Sequence, residues 1–271
     1  MSNPWEIYDR LISEIPDDVQ VVSIIEGPKW WQLASSAGGA GMAFYMPVES
    51  IPRQKDPKSL IGAPLREVAT LAKSWNFAEA GLGMAAINSW HSDPKQATKN
   101  GFTPLKANNF GKLFDPWNEV TAGKKVAVIG HFPFAPEALN KVAELLIFER
   151  NLWEGDYPDS AAEYLLPDCD YVFISGSAFV NKTAPRLFEL SADAVSIVVG
   201  PSTPASAILF DYGLDGVLPF VCADGSGLQR GIAGELPGGM YEVGQRMAAF
   251  RPGYEAPPEP VTPEIKTLPL V

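Results

Sequence analysis

Two histidines, one well-placed glutamate and a series of Gly, Ser, Thr and Asn turns are the residues of this 271-residue chain whose types and spacing suggest chemistry. His131 stands in Gly130-His131-Phe132-Pro133-Phe134, directly after the apolar run Lys125 to Ile129. A histidine at the carboxyl end of a strand is where a general acid or base, or a metal ligand, would be placed. A histidine packed beside Phe132 and Phe134 is the competing reading. Glu149 follows Gly130 by nineteen residues. That is close to the spacing of about twenty at which an acidic residue takes a ribose diol in dinucleotide-binding domains, although an ion pair with Arg150 would look the same. Asn88 and His91 fall at the end of one helical pattern, within reach of a neighbouring site, and His91 is read as satisfying helix carbonyls.

The stretch from Asp170 to Pro204 adds hydrogen-bonding groups. The apolar runs Tyr171 to Ile174 and Val195 to Val199 each break into a polar turn before a helical pattern. In an open parallel sheet such turns lie beyond the carboxyl ends of the strands, where ligands bind. Ser175, Gly176, Ser177, Asn181 and Thr183 are therefore expected to share a crevice with Gly200, Pro201, Ser202 and Thr203. Pro204 suits the first turn of a helix, which would leave backbone N-H groups free for an anion or a carbonyl. The same residues also make ordinary helix caps. Asp224-Gly225-Ser226-Gly227 is a third such turn.

Several chemistries lack their motifs. The turn after Ile129 has one glycine where a dinucleotide fingerprint needs three, and Pro133 removes a donor. The histidines have no partner at metal-ligand spacing and the cysteines form no paired motif, so no metal site and no cofactor are assigned. There is no Gly-x-Ser-x-Gly elbow for nucleophilic catalysis.

The elements that must position these residues fall into two patterns. Trp5, Tyr8, Leu11, Ile12 and Ile15 predict an opening helix that stops before Pro16. Val19 to Ile25, Trp31 to Leu33 and Met42 to Met46 predict a small antiparallel sheet, and Pro64 to Ser74 and Phe77 to Trp90 two helices. The small residues Gly81 to Ala86 predict close helix packing. This is an α+β front domain, followed by an aperiodic stretch, His91 to Gly123, read as a linker. From Lys124 onward strands and helices alternate. Strands are predicted at Lys124 to Gly130, Leu145 to Phe148, Tyr171 to Ile174, Val195 to Val199 and Gly216 to Val221. Helices are predicted at Pro136 to Glu144, Ser160 to Leu166, Pro204 to Phe210 and Leu228 to Gly234. The expectation is an α/β domain with a parallel sheet. Boundaries are set at 1–118, 119–249 and a tail of 250–271 with six prolines.

A net charge of -11 with no basic run excludes nucleic acid and an anionic membrane as partners. The 46% hydrophobic content suits a sizeable core. No signal-peptide pattern and no bilayer-length apolar run are present, so a cytoplasmic protein with reduced Cys169 and Cys222 is expected. A small-molecule ligand is the expected partner, with homo-oligomerisation an open alternative.

Four segments together, Gly83 to Asn88, Val128 to Pro133, Ser175 to Thr183 and Gly200 to Pro204, resemble the family named putative heavy-metal chelation domain over nearly the whole chain. The resemblance implies an enolase-N-terminal-like front domain, a Rossmann-like second domain and a site where the two meet. It also implies condensation or hydrolysis of pterin-, flavin- or metallophore-type precursors. Within that frame His131 is the acid-base candidate, Asn88 the front domain's contribution, Glu149 a diol or amine acceptor, and the Ser/Thr turns orienting donors. A non-enzymatic carrier of a metal or metal complex is the alternative, and an S-adenosylmethionine-dependent methyltransferase a third.

Overall fold

The computed structural model describes residues 3–258, so the reading of the tail beyond Pro258 lies outside the described residues. Helix α1 (Glu6–Ser13) buries Ile7, Tyr8, Leu11 and Ile12, the stripe that its spacing announces. Strands β1 (Val21–Glu26), β2 (Trp30–Ser35) and β3 (Ala40–Phe44) form an antiparallel sheet in that order. Helix α2 (Leu65–Ala69) runs on into a 3-10 turn, Thr70–Lys73, and α3 (Phe77–His91) lies across the sheet with nearly every residue buried. The small residues of α3 let it seat this deeply. A Cβ on Gly83 would stand 1.9 Å from the Ala72 nitrogen, which ordinary packing never permits.

The stretch read as a linker is structured. It contains α4 (Pro94–Lys99) and the short β4 (Thr103–Pro104), and it buries Phe102, Leu113, Phe114 and Trp117. Its contacts are aromatic and distant in sequence, so no local period marks them.

The second sheet holds β5 (Lys125–Ile129), β6 (Glu144–Glu149), β7 (Tyr157–Pro158), β8 (Tyr171–Ser175), β9 (Val195–Val199), β10 (Gly216–Leu218), β11 (Phe220–Cys222) and β12 (Gly244–Phe250), with β4 paired antiparallel to β12. From one edge the order is β7-β6-β5-β8-β9-β10-β12-β11. The first six strands are parallel, and in chain order they read 3-2-1-4-5-6, the arrangement of doubly wound sheets. The chain is thus of the α/β class, with a mixed but mostly parallel sheet. In such an order the switch point falls between the first and fourth strands, here β5 and β8.

Some expected helices are shorter or displaced. The helix expected from Pro136 to Glu144 is the single turn α5 (Ala135–Ala138), because Glu144 is already in register with Lys125 as the start of β6. Short α6 (Ala162–Leu165), α7 (Ser177–Val180) and α8 (Ala184–Leu190) follow. The helix expected at Pro204 begins only at Ala207, as a 3-10 segment Ala207–Tyr212 capped by Ser206. Helix α9 is Gly225–Ile232, and β12, unassigned from sequence, pairs antiparallel with both β10 and β11. Phe250, assigned to the tail, is its last residue.

The two halves share a core. Ile7, Leu11 and the buried side of α3 pack in one apolar cluster with Ala127, Val172, Phe179 and Val198, and the Tyr8 hydroxyl donates to the Phe179 carbonyl at 2.8 Å. The opposite sheet face, with Val126, Val128, Phe173 and Ile197, packs against Phe114, Trp117 and Phe132.

Candidate functional site

The sheet's switch point is built from the ends of β5 and β8. Gly130 closes β5 with φ 103°, a left-handed conformation that glycine adopts freely. A Cβ there would stand 3.2 Å from the Ser175 Cβ, so the two turns are in direct contact. The next residue, His131, is half-buried. Its Nδ1 lies 3.1 Å and 3.0 Å from the two carboxylate oxygens of Asp156, and its ring stacks on Trp153 with centroids 4.7 Å apart and planes 12° from parallel. An acceptor carboxylate places the imidazole proton on Nδ1, which leaves Nε2 with its lone pair. Asp156 is held in turn, since its Oδ2 accepts the Trp153 N-H at 3.0 Å and its side chain is only 2% exposed.

Glu149 anchors this arrangement. Its Oε2 accepts the His131 N-H at 3.0 Å, and its Oε1 accepts the N-H groups of Arg150 and Asn151 at 2.6 and 3.1 Å. The carboxylate thus clamps the β5 and β6 turns together, using the end of one strand to fix the backbone of the other. Arg150 pairs instead with Asp159 at 2.8 Å.

The remaining expected residues divide into an open and a closed group. Ser175 and Ser177 are half-buried beside Gly130, with their hydroxyls 2.9 Å apart. Asn181 Oδ1 accepts from the Thr183 N-H at 3.1 Å and the Thr183 hydroxyl at 2.6 Å, so these two residues close a local turn between α7 and α8. Gly200, Pro201, Ser202 and Thr203 are buried. The front layer covers them, because Ser202 Oγ accepts the Phe44 N-H at 2.9 Å and Asn88 Nδ2 donates to the Met42 and Pro201 carbonyls at 2.9 and 3.4 Å. Gly176 belongs here too, packed against the Thr203 backbone.

The expectation that this turn offers free N-H groups at a helix start is corrected by the same facts. Gly200 N-H is taken by the Leu218 carbonyl and Thr203 N-H by the Gly200 carbonyl, both at 3.0 Å, and no helix begins at Pro204. Asn88 is fully buried, with its Oδ1 lacking a partner among the described residues, as is the Thr203 hydroxyl. His91 is fully buried as well. Its Nε2 meets the Leu11 carbonyl at 2.9 Å, so it satisfies the end of α1 and not of its own helix. Burial lowers its pKa to about 4.

Three residues that sequence reasoning passed over bear on the site. Asp156 and Trp153 lie in the loop after β6, at the same strand end that singles out His131, and that topological rule could have flagged them. Lys182, half-buried beside α7, carries φ 70° and an amine whose pKa burial lowers to about 7. A cavity of about 210 Å³ opens elsewhere, lined by Leu105, Lys112, Trp117, Arg246 and Phe250 and by none of the switch-point residues.

Comparison with known proteins bears on the whole chain. A family model of the DUF364 family, described as "Putative heavy-metal chelation", matches residues 112–248, and a second model of the same description matches residues 8–91. The chain belongs to the DUF364 family. A solved member with unknown function from Desulfitobacterium hafniense DCB-2 superposes with a TM-score of 0.82 at 37% identity, covering 93% of this chain and 100% of that one. Another, from Pyrococcus horikoshii, superposes with a TM-score of 0.70 at 20% identity over 92% and 99% of the two chains, a likeness of fold alone. An uncharacterized protein of Methanocaldococcus jannaschii is 28% identical over 219 residues, 76% of this chain and 80% of that protein. No three His, Cys, Asp or Glu side chains come together as a metal-binding group among the described residues. Nor is any helix among them long and apolar enough to cross a membrane.

Proposed function

We infer that this DUF364 protein binds a small, polar, heterocyclic or nucleotide-like molecule at the carboxyl ends of β5, β6 and β8, and that His131 exchanges a proton with it through Nε2. One observation carries this reading: at the switch point of a doubly wound sheet, Asp156 holds His131 Nδ1 at 3.0 Å while Trp153 stacks on the ring. A carboxylate on one imidazole nitrogen fixes the tautomer and orients the other nitrogen as a base. The stacked Trp153 ring on one face and the Asp156 carboxylate at Nδ1 keep the imidazole from rotating away. Gly130 and the serine hydroxyls of Ser175 and Ser177 stand at the same strand ends, where they would supply close backbone approach and hydrogen bonds to a ligand. Condensation or hydrolysis of a precursor of that class needs only such a base and orienting donors.

Native mass spectrometry of freshly purified protein, before and after denaturation, tests the reading. A retained organic molecule that is lost in His131→Ala, with the melting temperature nearly unchanged, is the expected result. A thermal-shift screen of pterins, flavins and nucleotides in which nothing distinguishes wild type from His131→Ala would sink it.

The second reading is a carrier of a metal complex. Metal-bound histidines commonly give their other nitrogen to a carboxylate, as His131 does to Asp156. Since the described side chains do not assemble a metal site, the metal would arrive already held by its own organic chelator. Elemental analysis of the same sample, in parallel with the organic mass, separates the two.

A further inference from the structure

The cavity of about 210 Å³ lies away from the switch point and is lined from β12, the short β4 and the 3-10 turn Asp115–Trp117. Leu105, Pro116, Trp117, Ala248 and Phe250 give it apolar walls. Thr103, Pro104 and Lys112 line it too and are exposed, so its mouth faces solvent there. The volume is below the roughly 300–1,000 Å³ of sites that take drug-sized molecules, and it suits one ring with a short substituent.

Two polar groups interrupt these walls. Arg246 lines the cavity and is only 5% exposed. Its Nη1 donates to the Ala107 and Asn109 carbonyls at 2.8 and 2.7 Å, and its backbone N-H to Asn108 Oδ1 at 2.8 Å, so one loop fixes both the strand and the guanidinium. Neutral carbonyls position the group without cancelling its charge. Trp117 is 3% exposed, and its buried indole Nε1 has no hydrogen-bond partner among the described residues. An orphaned buried donor calls for an acceptor that the surrounding side chains do not supply. At the mouth, Lys112 Nζ pairs with Asp115 at 3.0 Å, so those two charges offset each other and Arg246 sets the sign inside. An arginine that only tied down a loop would need no cavity beside it, and a charge costs free energy to desolvate.

We propose that this cavity is a second ligand site, which takes a small aromatic carboxylate. The ring lies among Leu105, Trp117 and Phe250, and the carboxylate meets the Arg246 guanidinium. Arginine suits that role because its charge is permanent and its planar N-H fork matches a carboxylate. The net charge of -11 opposes anions in general, so capture of one relies on local groups such as these. The proposal is independent of the reading given for the switch point, none of whose residues lines the cavity.

The test uses the full chain and two kinds of one-ring probe. Binding of 4-fluorobenzoate is followed by the broadening of its fluorine NMR signal, with 4-fluorobenzyl alcohol as the uncharged twin. Photolysis of 4-azidobenzoate on the protein reports where the ring lies, by peptide mass spectrometry. The carboxylate is expected to bind at least about tenfold more tightly than the alcohol, the difference that one hydrogen bond to a charged group makes. The label is expected within residues 103–117 and 246–250. His131→Ala should leave both readouts unchanged. Ala248→Leu, which narrows the cavity and leaves Arg246 in place, should remove them. Arg246→Gln, which keeps an amide donor for the loop carbonyls, should abolish the preference for the carboxylate. Labelling of the wild-type chain decides the matter even if neither variant folds. No binding of 4-fluorobenzoate at millimolar concentration, equal affinity for the alcohol, or a label outside both segments each overturns the proposal. So does a folded Ala248→Leu protein that binds as tightly as wild type.

Discussion

Asp156 holds His131 by Nδ1 across 25 residues of sequence, at 3.0 Å, and is itself all but removed from solvent. The pair gives the imidazole a fixed direction, which an isolated surface histidine lacks. What the pair does for His131 can be separated from what it does for folding.

Asp156→Asn keeps the size of the side chain but lets the amide donate to Nδ1, which moves the imidazole proton to Nε2 and removes the base. Turnover should fall by up to about 10,000-fold, the loss seen when an Asp→Asn change puts a catalytic histidine in the wrong tautomer. The melting temperature should move by only a few degrees, since one amide oxygen can still accept the Trp153 N-H. Equal turnover in wild type and variant, measured with whichever molecule mass spectrometry identifies, would leave Asp156 a purely structural partner.

Glu149 poses a related question with a different answer. Its carboxylate accepts three backbone N-H groups, from His131, Arg150 and Asn151, so its first role is to hold the two strand ends together. Glu149→Ala leaves those donors to water and should cost about 1–2 kcal/mol of stability, because they lie at a half-exposed edge where solvent replaces the acceptor in part. Urea unfolding measures this. A variant as stable as wild type would mean that the carboxylate is free for a ligand, as the ribose-diol spacing suggests.

How much of this was legible in the sequence depends on the kind of burial. Val126 to Ile129 and Val195 to Val199 are interior parallel strands covered on both faces, so their residues read as unbroken apolar runs. β12, with Gln245 and Arg246 near its start, does not. Arg246 is buried by donating to the Ala107 and Asn109 carbonyls at 2.8 and 2.7 Å, contacts that no local pattern announces. His131 could be picked from its place after a strand. Asp156 could not be picked as its partner, because the contact depends on the turn through Gly155 at φ 92°. The polar turn at Gly200 was legible as a turn, but whether a ligand or the protein itself covers it is a tertiary fact. Here Asn88, Met42 and Phe44 cover it.

His91 makes stability depend on pH with a definite sign. It is buried neutral, with Nε2-H on the Leu11 carbonyl, and burial lowers its pKa from 6.5 to about 4. The unfolded chain therefore binds a proton that the folded chain refuses between those values, and stability is full above pH 6.5 and lost as pH falls toward 4. From pH 7 to pH 5 this one residue should remove about 2 kcal/mol. His91→Gln can keep a donor for Leu11 without titrating, so the drop should shrink by that amount in the variant. Identical pH profiles of the urea midpoint in the two proteins would show that His91 takes up its proton as readily in the folded chain as in the unfolded one, with Glu14 Oε2, 3.5 Å from Nδ1, offsetting the cost of burial.

Gly176 decides between two reasons for a small residue beside the switch point. If a ligand needs the space, Gly176→Ala should weaken binding and leave stability alone. The packing argues otherwise, since an added Cβ would stand 2.4 Å from Thr203 Oγ1, 2.5 Å from the Thr203 nitrogen and 2.8 Å from the Ser202 carbonyl carbon. Two of these three atoms are backbone, held in place by the Phe44 and Asn88 contacts to the same turn, and cannot swing aside. Gly176→Ala should therefore cost about 3 kcal/mol, near the upper end for forcing a methyl group into a packed interior. In a chain of this size that lowers the melting temperature by about 6–12 °C. Adding Thr203→Ala removes the nearest atom at little expense, because that hydroxyl has no partner to lose. The double variant should recover only part of the loss, since the nitrogen at 2.5 Å remains. Full recovery would show that the turn can shift, and with it that the seal between the front layer and the sheet can open.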